Sequence, residues 1–126
     1  MNKKILIVDD EPNIIVPLQF LMEQNGYEVV VAATGEEAME SVAAITPDLI
    51  LLDIMLPGVD GYEVCQNIRE HPEWQGIKII FISAMGRDMD IAKGLALSAD
   101  AYITKPFAIA DVVEKVNNLL KAEDGR

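Results

Sequence analysis

Short apolar runs alternate with stretches of helical periodicity along the whole chain. Five runs have the length of strands and show no polar alternation, which is typical of strands buried on both faces of a parallel sheet. They are residues 4–8, 29–32, 49–52, 77–82 and 101–104. After each run, apolar residues recur three and four positions apart, as in an amphipathic helix. The pattern therefore predicts an α/β fold in which five parallel strands alternate with five helices on both faces of the sheet.

Signals for helix starts accompany the periodic stretches. Pro12 is a favourable first helical residue, because its fixed φ suits the first turn and its missing N–H is not needed there. Thr34 with Glu37 three residues later forms a capping-box signature for the second helix. Asp60 is expected to cap the third helix, since a short carboxylate accepts from the free N–H groups of a first turn.

The fourth helix is the weakest of the five. It is expected over about residues 88–97, with Ile91 and Leu95 facing inward. Gly94 costs this helix up to about 1 kcal/mol relative to alanine. The Asp-x-Asp sequence at residues 88–90 is interpreted as a helix cap and a solvated face. Such a helix is suited to a mobile role.

Composition limits the classes of function. The 126 residues are expected to form one domain, 1–126, and the one cysteine, Cys65, excludes an intrachain disulfide and favours a reducing cytoplasm. The net charge is −11, and between Ile5 and Ile68 twelve acids occur without any lysine or arginine. Such a surface repels nucleic acids and anionic lipid. A divalent cation is the small ligand that suits this acidic half of the chain best. No apolar run is long enough to span a membrane.

Polar residues end four of the predicted strands: Asp9 and Asp10 after the first, Asp53 after the third, Ser83 after the fourth and Lys105 after the fifth. In a parallel sheet these ends meet at one edge, where open α/β sheets bind ligands. Converging carboxylates repel one another, and Mg²⁺ relieves that repulsion through oxygen ligands. A dication, a lysine and a hydroxyl around a carboxylate can hold a phosphoryl group and leave an acyl phosphate on the aspartate.

Four motifs, in order and together spanning most of the chain, resemble the receiver domain of two-component response regulators. They are ILIVDD at residues 5–10, LLDIMLPGVDG at 51–61, ISA at 82–84 and AYITKPF at 101–107. The resemblance implies a doubly wound, flavodoxin-like sheet with strand order 2-1-3-4-5. It also implies a cis peptide bond before Pro106.

The resemblance implies roles for the residues at the strand ends. Asp53 would be the phosphoacceptor. Asp10 and Asp53 would bind Mg²⁺ together with the backbone carbonyl of Met55, and Asp9 would act mainly through a water. Lys105 would contact the phosphoryl oxygens.

Two further roles follow from the same resemblance. Ser83 would contact the phosphoryl oxygens beside the lysine, and Tyr102 would be the aromatic switch. Met55 and Met85 occupy the positions, two after the phosphoacceptor and two after the hydroxyl residue, that flank the approach of the hydrolytic water. A thioether is a weak acceptor that orients water poorly, so slow self-dephosphorylation is expected.

The implied protein is a phosphoacceptor switch that catalyses only its own phosphorylation and dephosphorylation. Its expected partners are a sensor histidine kinase or phosphotransfer protein and a downstream protein or effector domain, with no nucleic acid or membrane bound by this chain. Ala101 and residues 108–111 depart from the charged set by which winged-helix transcription regulators of this superfamily dimerise. A monomer or a weak phosphorylation-dependent dimer is therefore expected.

Three alternatives remain open from the residues. An aspartate-nucleophile phosphatase of the haloacid-dehalogenase type needs Asp-x-Asp directly after the first strand, where this chain has adjacent Asp9 and Asp10. A flavodoxin-type binding module needs a phosphate loop rich in Ser, Thr and Gly at that point, which is missing. A degenerate receiver would bind partners without phosphorylation, although every acidic position of the site is filled.

Overall fold

A parallel sheet of five strands forms the centre of the molecule in the computed structural model, which describes residues 2–123. The strands are β1 (Lys4–Val8), β2 (Glu28–Ala32), β3 (Leu49–Leu52), β4 (Lys78–Ser83) and β5 (Ala101–Thr104). Their order across the sheet is β2-β1-β3-β4-β5, which confirms the predicted order. Residues 1 and 124–126 of the predicted domain lie outside the described residues.

The predicted helices all form. They are α1 (Pro12–Gln24), α2 (Gly35–Ile45), α3 (Gly61–Glu70), α4 (Asp88–Ala96) and α5 (Ile109–Glu123), with a short 3₁₀ turn at Pro72–Trp74. The predicted caps are present: the Glu37 N–H donates to the Thr34 hydroxyl and the Glu63 N–H donates to Asp60. The expected cis peptide bond lies between Lys105 and Pro106.

The two sheet faces carry separate halves of the core, because alternate side chains of a strand point to opposite faces. Within the described residues, the buried side chains of the α1/α5 face include no aromatic ring; they are Ile5, Ile7, Leu18, Met22, Leu49, Leu51, Ile80, Ile82, Val112, Val116 and Leu120. Tyr27 and Phe107 pack against them partly buried. The α2–α4 face includes Leu6, Val8, Ala38, Val42, Ile50, Leu52, Val64, Cys65, Ile68 and Ile79, together with the rings of Tyr62 and Phe81. The half-buried ring of Tyr102 packs on this second face.

The orientation predicted for α4 is wrong at Leu95, whereas Ile91 is partly buried. Leu95 is exposed, and the buried positions of the helix are Asp90 and Gly94. A Cβ on Gly94 would lie 2.9 Å from a ring carbon of Phe81 and 3.0 Å from one of Tyr102. The helix can therefore pack closely on the two rings only because Gly94 faces them. Leu95, the next residue, points to the surface.

Asp90 is likewise not on a solvated face. It is buried and accepts hydrogen bonds from the backbone N–H of Arg87, at 3.2 Å, and from its Nε, at 3.0 Å. The guanidinium hydrogen bond lowers the pKa of the Asp90 carboxyl. The residue thus fastens the start of α4 to the loop before it.

Arg69, at the end of α3, ties together the backbone that follows α4 and the start of β4. Its Nε donates to the carbonyl of Ser98 at 3.0 Å, and one terminal nitrogen donates to the carbonyl of Ile77 at 2.7 Å. The other terminal nitrogen pairs with Asp100 at 3.1 Å. We call this set of contacts the Arg69 clamp; it fixes the C-terminal end of α4 to α3.

None of the helices within residues 2–123 is long and apolar enough to cross a bilayer.

Candidate functional site

The predicted site residues meet at the carboxyl edge of the sheet. Backbone hydrogen bonds continue just beyond the strands and fix three of them: the Asp9 N–H donates to Ala32, the Asp53 N–H to Val8 and the Lys105 N–H to Ser83, at 3.1, 2.9 and 2.8 Å. These residues therefore leave the sheet in a defined register, with their side chains at one edge. Asp9, Asp53 and Ser83 are buried, whereas Asp10 is exposed.

Gly61 allows the start of α3 to lie directly against the backbone of Asp53. Its N–H donates to the carbonyl of Ile54 at 2.9 Å. A Cβ at this position would lie 2.2 Å from the carbonyl oxygen of Asp53, a distance that no side chain can adopt. The loop after β3 is therefore held by close backbone contact, which fixes the position of Asp53.

The ammonium of Lys105 joins three carboxylates. Its distances are 2.7 Å to Glu11, 3.1 Å to Asp9 and 3.3 Å to Asp53. Burial raises the pKa of the Asp53 carboxyl, Lys105 opposes this effect and Asp9 adds to it, so that the pKa lies above its ordinary value. Burial lowers the pKa of Lys105, but its contacts with Glu11, Asp9 and Asp53 outweigh that effect and raise it. The lysine therefore remains a cation at neutral pH.

Both oxygens of Asp53 are engaged. Oδ1 accepts from the N–H of Ile54 at 2.7 Å and from that of Met55 at 3.4 Å, while Oδ2 faces Lys105. The carboxylate is thus oriented by the backbone of its own loop on one side and by a cation on the other. Such preorganisation favours attack by a carboxylate oxygen on a group held beside the lysine.

Three carboxylates can hold a metal ion. One oxygen from each of Asp9, Asp10 and Asp53 lies within 4.8 Å of the others. Hard carboxylate oxygens suit Mg²⁺, which needs only a few protein ligands and keeps several waters. The donor set therefore fits the predicted ion. Met55, whose carbonyl is the fourth expected ligand, lies two residues after Asp53 with its side chain exposed.

A hydrogen-bonded chain leads from the site towards β5. The hydroxyl oxygen of Ser83 accepts from the N–H of Met85 at 3.2 Å, and the carbonyl of Met85 accepts from the hydroxyl of Tyr102. Burial raises the pKa of Tyr102 to about 12, so its hydroxyl is protonated and donates at neutral pH. The two predicted switch residues are thus connected through one residue of the loop after β4.

Met55 and Met85 line one open groove of about 620 Å³ beside the site, together with Ile54, Leu56, Asp60, Tyr62 and Lys93. The Met55 side chain is 65% exposed and that of Met85 is half-buried. The role expected of the two thioethers in the approach of water to Asp53 stays a prediction.

A family model described as the response regulator receiver domain matches residues 5–117. The chain belongs to this family. Receiver domains of response regulators are the phosphoacceptor switches of two-component signalling. The match confirms the resemblance found in the sequence and does not support the alternative of a haloacid-dehalogenase phosphatase.

Relatives of this receiver domain include two bacterial regulators. It is 43% identical over 124 residues to the alkaline phosphatase synthesis transcriptional regulatory protein PhoP of Bacillus subtilis. It is 38% identical over 121 residues to the phosphate regulon transcriptional regulatory protein PhoB of Rhizobium meliloti. The matches cover 98% and 96% of this chain and 51% and 53% of those proteins, so the chain spans about half the length of the curated relatives it matches.

Solved structures share the receiver fold along the whole chain. A CheY-like response regulator receiver domain protein from Methanospirillum hungatei has a TM-score of 0.89 and 32% identity, and the match covers 100% of both chains. The BeF3-activated N-terminal receiver domain of RstA from Klebsiella pneumoniae has a TM-score of 0.86 and 34% identity, with 94% and 98% covered.

Sequence reasoning missed Glu11 as a residue of the site. An acid directly before Pro12 suits the dipole of the helix that follows, yet its carboxylate makes the shortest of the three contacts with Lys105. The run of three acids, residues 9–11, is the only local signal. The partner of the third lies 94 residues further on, and nothing near Glu11 in the sequence indicates it.

Proposed function

We propose that residues 1–126 form a receiver domain in which Asp53 accepts a phosphoryl group from a sensor histidine kinase or phosphotransfer protein, in a Mg²⁺-dependent reaction in the cytoplasm. The observation that carries the proposal is a buried carboxylate, Asp53, with a lysine ammonium 3.3 Å away and two further carboxylates around it. This arrangement offers a nucleophile, a fixed positive charge and a metal site at one point.

Transfer would convert the Asp53 carboxylate into an acyl phosphate. One carboxylate oxygen forms a bond to phosphorus while the phosphorus–nitrogen bond of the donor's phosphohistidine breaks, and the imidazole leaves with the electron pair. Lys105 balances negative charge on the phosphoryl oxygens. Mg²⁺ held by Asp9, Asp10, Asp53 and the Met55 carbonyl would supply further neutralisation of that charge.

Intact mass after incubation with a small phosphodonor and Mg²⁺ tests the assignment. The chain should gain the mass of one phosphoryl group, and chelation of Mg²⁺ should prevent the gain. Asp53→Asn should abolish it, and Asp10→Asn should weaken Mg²⁺ binding. The matched control is Asp111→Asn, which removes an exposed carboxylate at the start of α5 and should leave the gain unchanged. Full modification of Asp53→Asn would refute the assignment.

We infer that phosphorylation is read out on α4, β5 and α5. A phosphoryl group on Asp53 offers Ser83 a charged acceptor, which draws its hydroxyl away from the N–H of Met85. The carbonyl of Met85 accepts from Tyr102, so a shift of this loop reaches the ring on β5. NMR shifts on phosphorylation should therefore extend through residues 84–104, and Ser83→Ala should confine them to the acidic site. Shifts that extend as far in Ser83→Ala contradict this route.

We propose that Met55 and Met85 slow self-dephosphorylation. Both side chains line the groove beside Asp53, and a thioether neither donates to water nor accepts from it strongly. Met55→Asn combined with Met85→Gln should raise the hydrolysis rate of the acyl phosphate without lowering Mg²⁺ affinity. A lifetime that is the same in the double variant and the parent would show that the methionines do not control access of water.

The output of this receiver domain would be a contact with a downstream protein or effector domain. We propose no direct contact with nucleic acid or membrane by this chain, because its charge of −11 opposes both. A monomer, or a weak dimer that phosphorylation strengthens, is the expected state. Sedimentation with and without a phosphodonor tests it, and a dimer that is stable before phosphorylation would contradict it.

A further inference from the structure

Glu11 stands at the rim of the acidic site, on the outer side of Lys105. Its side chain is 57% exposed, whereas the side chains of Asp9 and Asp53 are 3% and 6% exposed. The Lys105 ammonium lies between these two environments and is nearest to Glu11, at 2.7 Å. One cation is therefore shared by two buried acids and one acid in contact with solvent.

The helix that follows does not explain Glu11. The residue occupies the N-cap position of α1, where Ser, Thr, Asp or Asn are preferred, and within the described chain its side chain makes no capping bond. Its N–H donates to Oδ1 of Asp9 at 2.9 Å and its carbonyl accepts from Ile14 and Ile15. The backbone is thus fixed locally, while the side chain contacts a residue on the opposite end of the chain.

A dication at this site competes with the lysine. Oδ1 of Asp9 and Oδ1 of Asp53 each accept from a backbone N–H, and both Oδ2 atoms face the Lys105 ammonium. A dication and an ammonium repel each other at such distances. Of these partners the backbone amides are held by the fold, so the lysine, on its flexible stem, is the one that can yield.

We propose that Glu11 is a positioning residue for Lys105. It takes over the ammonium as a dication binds to Asp9 and Asp53, and it keeps the lysine beside the site for a phosphoryl oxygen. This inference rests on the proposed function, because it assumes that Mg²⁺ binds at these carboxylates. Without Glu11, the ammonium has only the two buried acids as partners in this site, and it competes with the dication more strongly.

The test is a double-mutant cycle on the full chain, read as the dissociation constant of Mg²⁺ by calorimetry. Glu11→Gln should weaken Mg²⁺ binding by about five- to tenfold when Lys105 is present. In the Lys105→Met background, Glu11→Gln should weaken Mg²⁺ binding by about twofold or less, because only the loss of a nearby exposed charge then remains. Glu40→Gln, which removes an exposed acid of α2, is the matched control and should have no effect.

A second variant separates positioning from helix stability. Glu11→Ser places a preferred N-cap residue before α1, so the free energy of unfolding should rise while Mg²⁺ affinity falls as in Glu11→Gln. Equal losses of affinity with and without Lys105, or no loss in Glu11→Gln, would overturn the role of Glu11 and leave the proposed function intact. A parent chain that binds no Mg²⁺ would overturn both.

Discussion

The two faces of the sheet are built from different kinds of contact. In the part of the chain that the structure describes, the fully buried layer of the α1/α5 face contains no aromatic ring, and Tyr27 and Phe107 pack only partly buried at its margin. Burial of aliphatic side chains is favourable in many relative positions because it has no preferred direction. The α2–α4 face buries two rings, with Tyr62 edge-on to Phe81 at 5.5 Å, and the half-buried ring of Tyr102 lies beside Phe81 at 5.9 Å. Hydroxyl groups of that face donate to backbone carbonyls of α4 and of the loop before it.

We expect the contacts under α4 to respond to phosphorylation, whereas the aliphatic layer under α1 and α5 holds those helices on the sheet and leaves the outward side of α5 for the proposed readout. Each directional contact under α4 is worth about 1 kcal/mol, so it can be exchanged for another when a charge appears at Asp53. The aliphatic layer offers no such discrete alternatives. We therefore expect changes on the α1/α5 face to lower the stability of both phosphorylation states equally, and changes on the α2–α4 face to alter the difference between them.

The largest effect is expected from Leu18→Ala on the α1/α5 face. Leu18 is buried there, and its truncation should lower the free energy of unfolding by about 2–5 kcal/mol. Urea unfolding with and without phosphorylation should show the same loss. Leu95→Ala is the matched control: Leu95 is exposed, so its truncation should leave the free energy of unfolding nearly unchanged. If Leu18→Ala lowered the free energy of unfolding by different amounts with and without phosphorylation, the proposed distinction between the two faces would be wrong.

Gly94→Ala on the α2–α4 face should have a smaller effect on stability and a larger one on the switch. The new methyl group would lie 2.9 Å from a ring carbon of Phe81 and 3.0 Å from one of Tyr102, which is closer than van der Waals contact. Such overpacking costs about 1–3 kcal/mol and outweighs a helix-propensity gain of about 1 kcal/mol. Urea unfolding should show a net loss, and NMR should show shifts in α4 before phosphorylation. The control is Ala92→Gly at an exposed position of α4, which changes helix propensity without changing the packing. A stabilised Gly94→Ala would contradict the close packing.

Tyr62→Phe removes the hydrogen bond from the Tyr62 hydroxyl to the carbonyl of Asp90 at 3.1 Å. The loss should be about 1 kcal/mol, and amide exchange should become faster in α4. The ring itself stays, together with its contact with the ammonium of Lys93, 4.3 Å from the ring centre. Tyr27→Phe is the counterpart beside α5, where the hydroxyl contacts Asn117. Faster exchange in α4 of Tyr27→Phe as well would show that the effect is not specific to the face.

The smallest effect at neutral pH is expected from Cys65. Burial raises the pKa of its thiol from 9.0 to about 11, and its Sγ lies 3.5 Å from the carbonyl of Leu97. Because the folded pKa is the higher one, the stability that the neutral thiol contributes is complete below pH 9 and is lost as the pH rises towards 11. The free energy of unfolding of the parent, measured in urea, should fall over this pH range relative to that of Cys65→Ala. Parallel pH profiles would show that the thiol is not held neutral.

The apolar pattern predicted the strands to within one residue and every helix, since a buried run or an amphipathic stripe is a local property of the chain. The rotation of α4 is not local. In the sequence, Leu95 fits an inward-facing position as well as Gly94 does. In the structure Gly94 faces inward, because the rings of Phe81 on β4 and Tyr102 on β5 leave no room for a side chain there. Glu11 was missed for the same reason, because its partner Lys105 comes from the other end of the chain.

Because the Arg69 clamp fixes the backbone just after α4, we expect any movement of this helix on phosphorylation to pivot near Ser98. Each of its nine residues adds one helical rise to the distance from this pivot, so a small tilt moves the first turn further than the last. A pull on Ser83 would act through the loop at that far end. The exposed side chain of Met89 lies there, so we expect the largest displacement at a position that a partner protein could contact.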